Sequence, residues 1–320
     1  MSPAAPATVE KPDVSVLVPA KDEAENLPLF MEQAAAAFHG SSTKYEVIVI
    51  DDGSTDRTWS VLQELMPRYP FLRAVRHRSQ RGIADALRTG YLNARGGILV
   101  FYPADLQFKP EDIPALVAPI LADQADMVTG FKQGKYEKAF VSRVYNLLSR
   151  VLFDVPVKDL KSVKAYRREI MEVLPVRPDW HRYMIVIAAA NGYTVTEIPV
   201  PLYPRHAGKT KFGVSRIPIG VLDMLSVWFE LRFGKKPLLA FGMLGAGMFT
   251  VGVLVGVVAY LSKTGTRQMW VVVQTCLLLG SVFFATGLLG EQIAGQRAEM
   301  RELRRRVEEI AAARERTDPR

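Results

Sequence analysis

Cysteine is nearly absent: Cys276 is the only one in 320 residues. This excludes an intrachain disulfide and a Cys-rich zinc site, and it fits reducing, cytosol-facing chemistry. Four histidines leave little room for a His-based metal cluster. The first residues, MSPAAPATVEKPD, lack a basic segment followed by an apolar run, so no signal peptide is expected. Glycine-rich phosphate signatures are missing too. After the first apolar run the chain reads Pro19-Ala20-Lys21-Asp22-Glu23 where a dinucleotide fold needs G-x-G-x-x-G. Gly208-Lys209-Thr210 imitates the end of a P-loop, but its earlier glycine position holds Tyr203. No helix-turn-helix, RNA-recognition or zinc-finger pattern occurs, so nucleic acid is not an expected partner.

What is present is a chain with 49% hydrophobic and 23% charged residues, too apolar to be mainly disordered. Its length allows about two domains. The formal net charge is +8, which points to phosphate-rich ligands or anionic lipid. The excess is shared: residues 1–236 carry 31 basic and 26 acidic residues, residues 237–320 carry 10 and 7.

The apolar residues are unevenly placed. No charge occurs between Lys236 and Lys263, nor between Arg267 and Glu291. Each stretch exceeds the about 18 residues that mark a membrane-span candidate. A buried core helix is the alternative. Two runs joined only by 263–267 favour a transmembrane hairpin, about 238–261 and 269–290. Tyr260 and Trp270 lie at its loop-side ends, where amphipathic aromatics favour the interface. Gly252 and Gly256 form a small-xxx-small pair that permits close helix packing. Arg232, Lys235, Lys236, Arg297, Arg301, Arg304, Arg305 and Arg306 flank the outer ends, against Lys263 and Arg267 in the connection. The positive-inside rule therefore puts both termini in the cytoplasm and predicts a multi-pass inner-membrane protein.

Residues 216–236 follow as an amphipathic helix, with Ile217, Val221, Leu225, Trp228 and Phe229 at helical spacing. It reads either as an interfacial helix or as one packed on the soluble domain. In the charged C-terminal helix, residues 291–320, Met300, Leu303, Val307 and Ile310 repeat at 3, 4, 3 spacing. That pattern suits a homo-oligomerisation helix or one lying on anionic membrane lipid. Residues 1–12 are expected to be disordered.

Residues 14–200 alternate strand-like and helix-like segments. The apolar runs are 14–19, 45–50, 72–76, 98–102 and 126–130; helices are expected to about 38, to about 68 and over 81–94. The alternation predicts βαβ units and a mainly parallel sheet, with ligands at the carboxyl ends of its strands. Asp51 and Asp52 end the second run, Asp105 and Gln107 follow the fourth, and 19–23 follow the first. Acids at three strand ends suit ribose hydroxyls, a base edge or a cation bridging phosphates. Singly, each has an ordinary reading: Asp56 as a helix cap, Asp51 as a turn residue.

The runs VSVLVPAKDEAENL, VIVIDDGSTDRTW and RGIADALRTGYLNARGGILVFYPADLQFKPEDIP resemble glycosyltransferase family 2, which has the GT-A fold. KDLKSVKAYRRE and NGYTVTEIPVPLYPRHAGKTKFG resemble, within it, the polyprenyl-phosphate group, similar to dolichol-phosphate mannose synthase. The likeness covers 13–216 and sets the glycosyltransferase domain at 13–215. It implies a membrane-bound hexosyltransferase that moves one sugar from a nucleotide sugar, of the GDP-mannose or UDP-hexose type, to undecaprenyl or dolichyl phosphate at the cytosolic face, with inversion. The resemblance places Pro19, Lys21, Glu23, Asp52, Ala104, Asp105 and Lys132 at the nucleotide sugar. It places Asp105, Arg143, Asp159, Arg205 and Lys211 in catalysis. It implies a divalent cation, Mg²⁺ or Mn²⁺, on Asp105 and Gln107.

The chain departs from the family pattern at Pro103, which replaces the first acid of Asp-x-Asp and cannot ligate a metal through its side chain. Metal binding then rests on Asp105, Gln107, waters and substrate phosphates. Two other readings remain: a non-catalytic nucleotide-sugar-binding membrane scaffold, and a processive polysaccharide synthase. The second normally carries Q-x-x-R-W, which this chain lacks.

Overall fold

The computed structural model describes residues 11–133, 152–153, 160, 162–174, 180–204, 217–262 and 266–317. Contacts divide the chain into two units, Met1–Val227 and Trp228–Arg320.

The first unit is built on seven strands: β1 (Val14–Ala20), β2 (Tyr45–Asp51), β3 (Leu72–Arg76), β4 (Ile98–Phe101), β5 (Met127–Gln133), β6 (Lys164–Arg167) and β7 (Val195–Pro201). Their order is β3-β2-β1-β4-β6-β5-β7. All run parallel except β6, which is antiparallel to both β4 and β5. Val14, Val16, Leu17 and Val18 of β1 are fully buried, as a central strand covered on both faces requires.

Helices cover the sheet: α1 (Leu27–Ala37), α2 (Thr58–Leu65), α3 (Ile83–Asn93), α4 (Ile113–Leu121), α5 (Ile170–Val173) and α6 (Met184–Ala190). In α1 the buried residues Leu27, Phe30, Met31 and Ala34 recur at one-face spacing. The five strands and three helices expected from the sequence all form. β6 and β7 add to them.

Pro19 sits inside β1, where it pairs with Ile50 of β2. A proline removes a ladder donor, so central strands normally avoid it. Here the ladder between β1 and β4 stops at Leu17–Phe101, and Tyr102 donates its N–H to the Leu17 carbonyl at 3.1 Å. Peptide groups alternate sides along a strand, so Pro19 faces the side that β4 has already left. The chain after β4 is thereby free to turn away and form a rim.

Three further helices follow: α7 (Ile217–Phe233), α8 (Pro237–Leu261) and α9 (Arg267–Thr317). On α7, Gly220, Met224 and Val227 are buried, while Leu222 and Leu225 are exposed. The Tyr183 hydroxyl donates to the Gly220 carbonyl at 3.1 Å, so the start of α7 is held by the first unit. The unit boundary falls within α7, downstream of the 215/216 boundary expected from the sequence.

α8 and the first part of α9, Arg267–Met300, are long and apolar enough to cross a membrane, with mean hydropathies of 2.1 and 2.0. They pack antiparallel. A Cβ on Gly245 would lie 2.6 Å from the Gly280 carbonyl oxygen, and one on Gly280 would lie 2.8 Å from the Gly245 oxygen. Backbone meets backbone there. Gly252 lies against Cys276 and Gly256 against Val273, one turn apart along the same seam. Glu291 accepts a hydrogen bond from the Leu238 amide at 3.2 Å, capping the start of α8. α9 joins the apolar run and the charged segment that follows it in one continuous helix to Thr317.

Candidate active site

The carboxyl ends of β1, β2 and β4 form one rim, and two loops there are fastened to each other. The Asp22 amide donates to Ser54 Oγ at 2.9 Å, and the Thr55 amide donates back to Asp22 Oδ1 at 2.8 Å. The Glu23 amide donates to Thr58 Oγ1 at 2.9 Å, and Lys21 Nζ donates to the Gly53 carbonyl at 2.5 Å. Lys21 and Glu23, expected at the nucleotide, thus sit on a loop braced by 53–58. Asp22 has φ +53°, a left-handed conformation that aspartate tolerates because its side chain bonds locally.

Asp52 is the centre of a second brace. Its Oδ1 accepts from the Arg81 amide at 2.8 Å and lies 2.8 Å from His77 Nδ1; its Oδ2 accepts from the Gly82 amide at 2.8 Å. The other ring nitrogen of His77 lies 2.9 Å from Thr89 Oγ1 on α3. Burial alone would push the Asp52 carboxyl up, but the Arg81 amide, His77 and the Gly82 amide together outweigh it and hold it below the usual carboxylate range. Beside it, Gly53 has φ +67°, and a Cβ there would lie 2.6 Å from the Ser79 carbonyl carbon. Only glycine lets segment 77–82 cross so close to the strand end.

Sequence reasoning missed His77. Its 25-residue separation from Asp52 hides the pair, although an acid at a strand end and a His one residue past β3 were both visible. Asp51, next to Asp52, is fully buried; it pairs with Arg76 at 3.1 Å and accepts the Ser54 amide at 2.9 Å.

The third part of the rim is the segment after β4. Tyr102, Ala104, Leu106, Phe108 and Pro110 are buried, whereas Pro103, Asp105, Gln107 and Lys109 are partly exposed. This alternation turns Asp105 and Gln107 outward together and keeps Ala104 inward. Two bonds hold the segment rigid: the Tyr102 hydroxyl donates to the Lys109 carbonyl at 2.6 Å, and the Tyr203 amide donates to the Gln107 carbonyl at 2.9 Å. Asp105 Oδ1 accepts the Gln107 amide at 3.2 Å across Leu106, whose φ of +56° is rare for a leucine. Such strain costs on the order of 1–3 kcal/mol and persists only where surrounding structure over-determines it; burial of Leu106 supplies part of that restraint. Pro103 faces the same side as Asp105, so a side-chain ligand at 103 would have shared its exposure.

Lys132 lies near the end of β5, paired in register with Val200 of β7. Lys164, at the start of β6 opposite Phe101, is buried; its Nζ donates to the Ser162 carbonyl at 2.7 Å and lies 5.8 Å from the Phe101 ring centre. Arg143, Asp159, Arg205 and Lys211 lie outside the described residues. Among the described residues no three His, Cys, Asp or Glu side chains form a metal-ligand set. The donors that face out together are the Asp105 carboxylate and the Gln107 amide.

With this geometry in view, comparison with known proteins is direct. The family described as glycosyl transferase family 2 matches residues 15–171. Dodecaprenyl-phosphate galacturonate synthase of Rhizobium johnstonii is 30% identical over 89% of this chain and 89% of its own. Undecaprenyl-phosphate 4-deoxy-4-formamido-L-arabinose transferase of Edwardsiella ictaluri is 26% identical over 88% of each chain. Among solved structures, glucosyl-3-phosphoglycerate synthase from Mycobacterium tuberculosis aligns with a TM-score of 0.56 at 19% identity, covering 68% of this chain and 80% of that one. The likeness in fold supports the mainly parallel GT-A sheet. The similarity to the Rhizobium enzyme extends well past the catalytic domain, and the chain belongs to glycosyltransferase family 2 as a membrane glycosyltransferase.

Proposed function

We propose that the chain moves one sugar from a nucleotide sugar to a polyprenyl phosphate at the cytosolic face of the membrane. The observation that carries this is the 89% match to a relative named for a dodecaprenyl phosphate, which is too long to leave out the apolar helices. Two relatives are named for a polyprenyl phosphate and differ in the sugar. Eight basic residues on the outer flanks of the hairpin, against two in its connection, support a cytosolic site.

The rim suits the donor. Lys21, Glu23 and the brace around Asp52 would hold the nucleoside, and Lys132 a phosphate. Asp52 would act through the backbone of Arg81 and Gly82, which it anchors. Asp105 and Gln107 are hard oxygen donors, and such a pair fits Mg²⁺ or Mn²⁺ when waters and substrate phosphates complete the shell. A bound cation would offset the charge of the departing diphosphate.

The acceptor phosphate has a second pKa of about 6, so at pH 7 it is mostly a dianion and needs little help from a base. Its oxygen forms the new bond to the anomeric carbon as the bond to the nucleoside diphosphate breaks, with inversion. Arg143, Arg205 and Lys211 are proposed for the phosphates and Asp159 for the sugar or acceptor. Leu222 and Leu225, exposed on α7, are proposed to meet the bilayer surface where that acceptor lies.

Asp105→Ala tests the assignment. We expect transfer to fall at least about 100-fold, as for loss of one electrostatic stabiliser, with the metal-stimulated part of nucleotide binding lost in calorimetry. Unchanged transfer would remove Asp105 from the site.

A further inference from the structure

We infer that the C-terminal part of α9 is a self-association arm, pairing in parallel with the same segment of a second copy of this chain. α9 runs 51 residues without a break, about 75 Å at about 1.5 Å per residue. A bilayer core of about 30 Å takes roughly 20 of them. Residues 291–317 therefore project beyond it on the same helical axis. On that projection Ile293, Met300, Leu303, Val307 and Ile310 are each at least half exposed. They fall on one seam over 293–310: Ile293, Met300 and Val307 recur every seven residues at a, and Leu303 and Ile310 occupy d, with Gln296 as the one polar member of that stretch; past it the register reaches Arg314 and Thr317.

Two observations favour a second copy over a lipid surface as the occupant. A helix that crosses the bilayer cannot also lie flat on it without bending or breaking, and α9 is one continuous helix from Arg267 to Thr317. The projection is also of mixed charge, with seven basic and five acidic residues over 297–317, where a lipid-binding helix would be strongly basic. Charge complementarity matches the seam. Glu299 occupies a g position and Arg304 the following e position, which oppose each other across a parallel pair. Arg297, at the preceding e position, is held by Glu230 of its own chain at 3.0 Å and steadies the base of the arm.

The parallel sense follows from insertion: copies entering one membrane in one orientation carry α9 the same way up. The inference rests on α9 being a span and is independent of the sugar transferred. Two heptads are marginal in water. Tethering in one membrane raises the effective concentration and offsets that weakness. Two β-branched residues among the three a positions and Leu at one d position favour two strands.

The test uses the full chain in membranes, in a Cys276→Ser background. Leu303→Cys under a copper–phenanthroline oxidant should give a covalent dimer, and Arg305→Cys, on the opposite side of the helix, should not. In the uncrosslinked chain, Leu303→Asp with Val307→Asp should halve the mass seen by light scattering in detergent while sugar transfer is retained. No dimer at 303, equal crosslinking at both positions, or an unchanged mass would overturn the inference. Recovery of the chain in the soluble fraction would overturn it together with the membrane reading, whereas failure to crosslink in a membrane-bound, active chain overturns the inference alone.

Discussion

Asp52 shows how one side chain can organise a site. Both of its oxygens are engaged, by two backbone amides and His77, and these contacts fix the loop that crosses over Gly53. Hydrogen bonds to a charged group are worth roughly 1.5–3 kcal/mol each. Asp52→Asn keeps one acceptor oxygen and loses the charge, so we expect a loss of about 2 kcal/mol, read from the denaturant midpoint of the first unit. The pH dependence has a definite sign. A depressed carboxyl contributes stability that is complete above its ordinary value, about pH 4, and is lost as pH falls through the folded value. The Asn variant should show less acid sensitivity there; an identical acid limb would detach Asp52 from it.

His181 gives the opposite kind of residue-scale signal. Its Nδ1 is buried with no hydrogen-bond partner among the described residues. Burial first, then Arg182 and Lys164, push its pKa down to about 3. Between that value and about 6.5 the unfolded chain binds a proton that the folded chain does not, so stability falls as pH falls. His181→Gln should flatten the stability slope between pH 6.5 and 4. A slope that does not change would show that the imidazole takes up its proton in the folded state as readily as in the unfolded one.

At the scale of elements, β1 to β5 were legible because each is an apolar run bounded by turn residues. β6 and β7 were not. β6 is only four residues, Lys-Ala-Tyr-Arg, and its lysine is buried by the fold rather than marked by the pattern. β7 contains Pro199 and Pro201, which a sheet accepts because β7 is the last strand in the order. Asp105 and Gln107 were legible as neighbours, two apart after a strand. The brace of Asp52 by His77 was hidden, because it depends on a backbone crossing that no local spacing encodes.

The α8–α9 seam was half legible. Gly252 and Gly256 were visible as a small-residue pair, but the closest approach is at Gly245 and Gly280. Overpacking a tight contact costs typically about 1–3 kcal/mol. Gly245→Val should lower the thermal stability of the hairpin in detergent. Gly247→Val, where nothing lies within 4 Å of an added Cβ, should not. Equal effects would mean that helix propensity, not the seam, decides.

At the scale of the whole molecule, the two units follow from two solvents. The first buries its apolar strands within itself. The second keeps a large share of its apolar residues exposed along α8 and α9, as helices facing lipid require. A lipid-bound acceptor cannot leave the bilayer, so a catalytic unit on the same chain as two spans meets it in a two-dimensional search at high effective concentration. The membrane runs and the family were legible from composition and ordered motifs. The donor sugar was not, because the relatives that match over nearly the full chain differ in it.

The most direct test is a transfer assay with the purified full chain in detergent, given undecaprenyl phosphate and a panel of nucleotide sugars, with Mg²⁺, Mn²⁺ or a chelator. Lipid products would be read by mass spectrometry. The account predicts one glycosyl-phosphoprenol from one donor, lost on chelation and in Asp105→Ala. Nucleotide-sugar binding without any glycosylated lipid, across the whole panel, would contradict it.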